Sequence, residues 1–169
     1  MSIIKWGIIG LGNIALKFAQ AFNEISNSKL LGIASIDKNK IELFKNQFKI
    51  QKEYCFKSYL DLIKNQDIDI VYLALPHNFH YQWIIECLKE NKNILTEKPA
   101  VISLNNINEI DKKLSQKNMF FAESFVYRYH PQTAMIIDLI KNNKIGELIS
   151  MESYFGSNIV EKKKIFWTN

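Results

Sequence analysis

The chain has 169 residues, 47% of them hydrophobic and 23% charged, with a formal net charge of +5. This balance excludes a disordered or fibrous polypeptide, and no apolar run approaches the ~18 to 20 residues that a membrane-spanning helix requires. Of the 22 basic residues 21 are lysines, spread along the chain and often beside Asp or Glu, and one is Arg128; a surface built to read bases or phosphates would be richer in arginine, so a nucleic-acid partner is not expected.

The opening residues Met1 to Gly7 lack a basic stretch followed by a long apolar run and a small-residue cleavage site, so a cytoplasmic protein is expected. Cys55 and Cys87 stand in unrelated segments and read as free thiols. No Cys or His spacing matches a zinc site, and no metal is expected.

Ile3 to Ile9 is short, β-branched and mostly apolar, and reads as a buried parallel strand. Gly10-Leu11-Gly12-Asn13 reads as a tight turn. Ile14, Phe18, Ala21, Phe22 and Ile25 then recur at helical spacing as an inward face. Leu30 to Ser35 reads as a strand, and Lys38 to Phe48 as a helix with Ile41, Leu43, Phe44 and Phe48 inward. A short strand at Tyr54 to Phe56, a short helix at Ser58 to Lys64 and an unbroken apolar strand at Asp69 to Leu75 follow.

The alternation continues with a helix over Asn78 to Glu90, a strand at Asn93 to Thr96, and a helix over Leu104 to Gln116 opened by Ser103. A strand at Met119 to Glu123 and a helix from Pro131 to about Lys141 come next. Leu148 to Phe155 alternates like a strand exposed on one side. Strands alternating with helices imply an α/β fold with a doubly wound parallel sheet.

Gly10 to Ala15 fits G-x-G-x-x-A between a strand and a helix, where a dinucleotide pyrophosphate would meet a helix N-terminus. Gly10 permits the turn, Gly12 admits the phosphates, Asn13 and Ile14 begin the helix, and Ala15 keeps it close to the sheet. An acid closing the second strand would hold an NAD ribose. That position holds Ser35, followed by Asp37, Lys38 and Lys40, which favours NADP over NAD.

Leu75-Pro76-His77-Asn78-Phe79-His80 and Thr96-Glu97-Lys98-Pro99 end strands at the same crevice. His77 and His80 read either as site residues or as helix-start residues bonded to backbone. A partly desolvated Lys98 would donate to or accept from a substrate hydroxyl; otherwise it is one surface lysine of many.

Taken in order, Gly10 to Ala15, Pro76 to His80, Asn91 to Ala100 and Gly146-Glu147-Leu148-Ile149 resemble the glucose-fructose oxidoreductase / inositol dehydrogenase (Gfo/Idh/MocA) family. Glu123 to Pro131 resembles its dihydrodiol-dehydrogenase branch. The resemblance implies an NAD(P)-dependent oxidoreductase of a sugar, cyclitol or diol, with Lys98 catalytic and Glu97 positioning it or the cofactor ribose. It further implies a cis Lys98–Pro99 bond, His80 near the nicotinamide pocket, and Arg128 at the site, preferably paired with a carboxylate such as Glu123. Family members run to about twice this length, with an antiparallel sheet that forms the substrate wall and a homodimer interface. The chain therefore resembles an amino-terminal part that holds the cofactor half, which implies a Rossmann domain over 1–122 and the start of a second, α+β domain over 123–169; a non-catalytic dinucleotide-binding module is the alternative.

Overall fold

The computed structural model describes residues 3–154 and Gly156. Six strands form one sheet: Ile4–Ile9 (β1), Ser28–Ala34 (β2), Cys55–Phe56 (β3), Ile70–Leu73 (β4), Asn93–Thr96 (β5) and Phe121–Glu123 (β6). Their spatial order is β3-β2-β1-β4-β5-β6, and every neighbouring pair is parallel. Helices Asn13–Gln20 (α1), Lys38–Phe48 (α2), Tyr59–Lys64 (α3), His80–Lys89 (α4) and Leu104–Ser115 (α5) connect them, and Pro131–Lys141 (α6) follows. The chain divides into a compact unit ending at Phe125 and a second beginning at Val126.

A period of two along each strand sends neighbouring residues to opposite faces. Ile8, Ile33 and Tyr72 therefore join Ala15, Ala19, Ile41 and Phe44 in one core layer. Ile9, Ala34, Val71 and Leu73 join Leu62, Ile63, Ile84 and Leu88 in the other. β4 is buried along its whole length, which explains why its sequence is an unbroken apolar run rather than an alternating one.

The chain builds outward from β1 to β3, then crosses back to β4 on the other side of β1 and builds outward again. A sheet wound this way opens a crevice at the carboxyl ends of the two strands where the order reverses, here β1 and β4.

Three expectations are corrected. The buried face of α1 is Ala15 and Ala19, not the stripe through Ile14, Ala21 and Ile25, which are exposed. The small side chains let the helix lie close to the sheet. Phe18 and Phe22 turn sideways onto Trp6, at centroid distances of 5.3 and 5.9 Å. In α2, Leu43 is exposed while Ile41 and Phe44 face the core. Residues 148–154 form no strand, and Phe155 lies outside the described residues. Alternation marks a segment suited to a sheet, but a strand also needs a neighbouring ladder to satisfy its backbone.

Candidate functional site

The turn after β1 is set by steric contact. Gly10 has φ +86°, and a Cβ there would lie 2.6 Å from Ala74 O and 2.8 Å from Leu75 Cδ2. Only glycine lets β1 end this close to the segment leaving β4. The Gly10 N–H donates to Ala34 O at 3.1 Å, tying the turn to β2 as well.

Gly12 is different in kind. It is the N-cap of α1 with extended backbone, and a Cβ on it would meet no protein atom within 4 Å. Nothing in the fold itself requires a glycine there; the absent side chain leaves room in the crevice. No side chain caps α1, nor α4 or α5, where Ser103 stands at the N-cap of α5 without bonding; Asp37 caps α2 through Asn39 N and Lys40 N, and Ser58 caps α3 through Asp61 N. The first N–H groups of α1 are thus left for a partner outside the helix, at its positive dipole end.

The cleft above these groups has a volume of about 550 Å³. It unites Gly10, Gly12, Ser35, Leu75 and Pro76 with Asp37 and Lys40. Leu11, Ile36, Ala74 and Tyr59 complete its wall without having been expected there. Ile36 is 83% exposed, which is informative for a large aliphatic side chain at the end of a buried strand. Ser35 is 4% exposed, and its Oγ accepts the Asp37 N–H at 3.1 Å. Asn13, Ile14, Lys38 and His77 are exposed beside this cleft rather than part of its wall.

The loop after β5 leaves the same carboxyl edge of the sheet. The Lys98–Pro99 peptide is cis. Lys98 itself is exposed, not partly desolvated as the sequence reading has it. Glu97 does not turn toward it: Glu97 Oε1 accepts the Tyr72 hydroxyl at 2.6 Å. Burial, then that hydrogen bond, pushes the Tyr72 phenol well above its ordinary value. His80 is 1% exposed, with Nδ1 2.8 Å from Pro99 O and Nε2 2.7 Å from Leu75 O. Both ring nitrogens are thus engaged by backbone, which places His80 behind the crevice wall. Glu123 Oε1 accepts the Ala100 N–H at 2.7 Å. Arg128 lies in the second unit, exposed, on the 3-10 turn Val126–Tyr129.

A hollow of about 610 Å³ lies at the opposite edge of the sheet, lined by Ile3, Trp6, Asp69, Asn93 and Phe120 among others. Two of its polar side chains are already paired, while Trp6 Nε1 is buried without a hydrogen-bond partner among the described residues. Asp69 Oδ2 accepts the Lys5 N–H, and the Asn93 amide bridges Asp69 O and Phe120 N. Volume alone does not make it the site; the uncapped donors are at the carboxyl edge.

Residues 4–125 match the model of the Gfo/Idh/MocA group, described as an oxidoreductase family with an NAD-binding Rossmann fold. The chain belongs to this family. It is 31% identical over 157 residues to trans-1,2-dihydrobenzene-1,2-diol dehydrogenase of Xenopus tropicalis, a match covering 92% of this chain and 47% of that protein. Among solved structures it resembles scyllo-inositol dehydrogenase of Lactobacillus casei with bound NAD(H) and scyllo-inositol (TM-score 0.80, 26% identity, 86% of this chain and 43% of that one). It also resembles a 3-ketoreductase of Actinomadura kijaniata in complex with TDP-benzene and NADP (TM-score 0.76, 26% identity, 86% and 46%). The chain spans about half the length of the curated relatives it matches.

A dinucleotide fits the residues of this chain. The uncapped α1 terminus and the open face of Gly12 suit a pyrophosphate, and Ser35 and Lys40 line the same cleft. Among the described residues no group of His, Cys, Asp or Glu is gathered as a metal site, and no helix is long and apolar enough to cross a membrane.

Proposed function

We propose that this chain is the cofactor-binding half of an NAD(P)-dependent oxidoreductase that acts on a secondary alcohol of a sugar, cyclitol or diol. The observation that carries the reading is Gly12: an uncapped helix start whose missing side chain opens onto the crevice rather than onto the protein. When bound, the nicotinamide cofactor supplies the hydride chemistry.

The chain's own residues do the rest. The α1 N–H groups hold the pyrophosphate, and the loop after β5 presents Lys98 to the substrate. Lys98 Nζ handles the hydroxyl proton or polarises the carbonyl. Asn13, Ile14 and His77 border the cofactor and Glu97 shapes the loop; Arg128 makes no ion pair among the described residues, and its expected partner Glu123 accepts the Ala100 N–H instead. The full-length protein forms a homodimer.

The cofactor is NADP(H) in preference to NAD(H). Ser35 is uncharged where a carboxylate would repel a 2′-phosphate, and Lys38 and Lys40 stand close enough in sequence to neutralise one.

Titration of the chain with NADPH and NADH, followed by assay with a panel of polyols and diols, tests this reading. Saturable binding with little turnover is expected. Robust turnover by this chain alone that survives Lys98→Ala would overturn the assignment of Lys98, and failure to bind either dinucleotide would overturn the whole reading.

A further inference from the structure

We infer that Tyr72 and Glu123 are positioning residues that hold the loop carrying Lys98 in the geometry needed at the nicotinamide end of the crevice. This inference rests on the proposed cofactor reading.

Lys98 sits between two anchored points. On its amino side Glu97 is held twice: its N–H donates to Leu73 O at 3.0 Å, and its Oε1 accepts the Tyr72 hydroxyl at 2.6 Å. On its carboxyl side the Ala100 N–H donates to Glu123 Oε1 at 2.7 Å. His80 lies against Pro99 O between them. The loop is therefore fixed on both sides of Lys98 while the lysine side chain remains exposed.

The choice of residues argues for more than packing. Tyr72 is 1% exposed in the middle of a wholly buried central strand, among Ile70, Val71 and Leu73. An aliphatic residue there would carry no desolvation cost, whereas a buried hydroxyl is tolerated only when bonded. Its bond runs directly to the loop. Its ring also packs, tilted, on Phe18 of α1 at a centroid distance of 4.2 Å, so the ring is held from the helix whose N-cap is Gly12. Glu123 closes β6 and places a carboxylate on a backbone N–H, a charge-assisted bond stronger than a neutral one. Tethers of this kind keep a reacting group near its working position before substrate arrives.

In a sheet of this order the adenosine half of a dinucleotide lies over β1 to β3 and the nicotinamide half over β4 to β6. Losing the tethers should therefore affect one end of the ligand and spare the other. The test uses the full chain and the variants Tyr72→Phe, Glu123→Leu and Glu123→Gln. Each is titrated with NADPH and with 2′-phospho-ADP-ribose, which lacks the nicotinamide.

The expected result is a loss of about tenfold in NADPH affinity for Tyr72→Phe and Glu123→Leu, with 2′-phospho-ADP-ribose affinity changed by less than about twofold. Glu123→Gln, which keeps an acceptor for Ala100, should stay within about twofold of wild type for both. Equal losses for both ligands would show general destabilisation and overturn the inference, as would unchanged NADPH affinity or a Glu123→Gln variant as weak as Glu123→Leu.

Amide hydrogen exchange provides a readout that needs no cofactor. Ala100 should exchange at least tenfold faster in Glu123→Leu and at the wild-type rate in Glu123→Gln. If wild type binds neither ligand, the cofactor reading fails. The Ala100 amide then decides the tether alone, and unchanged exchange in Glu123→Leu overturns it.

Discussion

Gly10 and Gly12 lie two residues apart in one motif, yet their replacement by alanine should have opposite consequences. At Gly10 the new Cβ would meet Ala74 O at 2.6 Å and Leu75 Cδ2 at 2.8 Å, from a backbone at φ +86°. Placing a non-glycine residue in that region costs roughly 1–2 kcal/mol. Forcing a methyl into a packed contact costs roughly 1–3 kcal/mol more. The sum, about 2–5 kcal/mol, corresponds to a fall in Tm of roughly 4–20 °C for a chain of this size. It is a large share of the roughly 5–15 kcal/mol that holds an ordinary domain folded. At Gly12 the Cβ meets nothing and the backbone is already extended, so stability should change by less than about 1 kcal/mol. The methyl would instead occupy the space assigned to the pyrophosphate. At the same roughly 1–3 kcal/mol, dinucleotide affinity should fall by roughly 5- to 150-fold. Thermal melts and NADPH titrations of both variants decide the matter. A Gly12→Ala chain as unstable as Gly10→Ala, or one that binds NADPH as well as wild type, would refute the division of roles.

Lys92 is 5% exposed, and its Nζ donates to Asn65 O and Ile68 O at 2.7 Å each. Lys92→Met keeps the stem but leaves both carbonyls unpaired, so urea unfolding should show a loss of about 2–4 kcal/mol; a change under about 0.5 kcal/mol would contradict this. The folded-state pKa of Tyr72 is raised above its ordinary value of 10.0, by burial and then by Glu97. Above pH 10 the unfolded chain therefore binds fewer protons than the folded one, and stability is lost as pH rises toward the folded-state value. Tyr72→Phe should reduce that alkaline slope by up to about 1.4 kcal/mol per pH unit, and identical slopes for variant and wild type would contradict it. Ser35→Asp should lower the ratio of NADPH to NADH affinity at least tenfold, because a carboxylate would repel the 2′-phosphate and accept from a ribose hydroxyl; an unchanged ratio would remove Ser35 from cofactor choice.

The parallel sheet and its helices were legible because β1 and β4 are short runs rich in β-branched residues and Pro131 marks the start of α6. Lys38–Phe48, Asn93–Thr96 and Pro131–Lys141 form within the residues where local pattern places them. The inward face of α1 was not legible. Its large residues mimic a helical stripe, while contact with the sheet selects the small Ala15 and Ala19, and only the path imposed by Gly10 decides between the two. Residues 148–154 fail as a strand for a related reason, since alternation says nothing about whether a partner strand is at hand.

In the cleft, Gly10, Gly12, Ser35, Leu75 and Pro76 were found from motif and position. Tyr59 was not, because it belongs to a short helix that the fold alone brings to the crevice. Tyr72 was read as one more strand residue. The available signal was a hydroxyl inside an otherwise aliphatic run, which only a fixed acceptor such as Glu97 makes tolerable.

The most direct test of the cofactor site is an NADPH titration of the whole chain followed at each backbone amide by NMR. The expected result is saturation at about one equivalent, with shifts concentrated at Gly10 to Ala15, at Ser35 to Lys40 and at Leu75 to His77. No saturation, or shifts centred on Lys5, Asp69, Asn93 and Phe120 at the opposite edge of the sheet, would contradict the assignment of the crevice as a dinucleotide site.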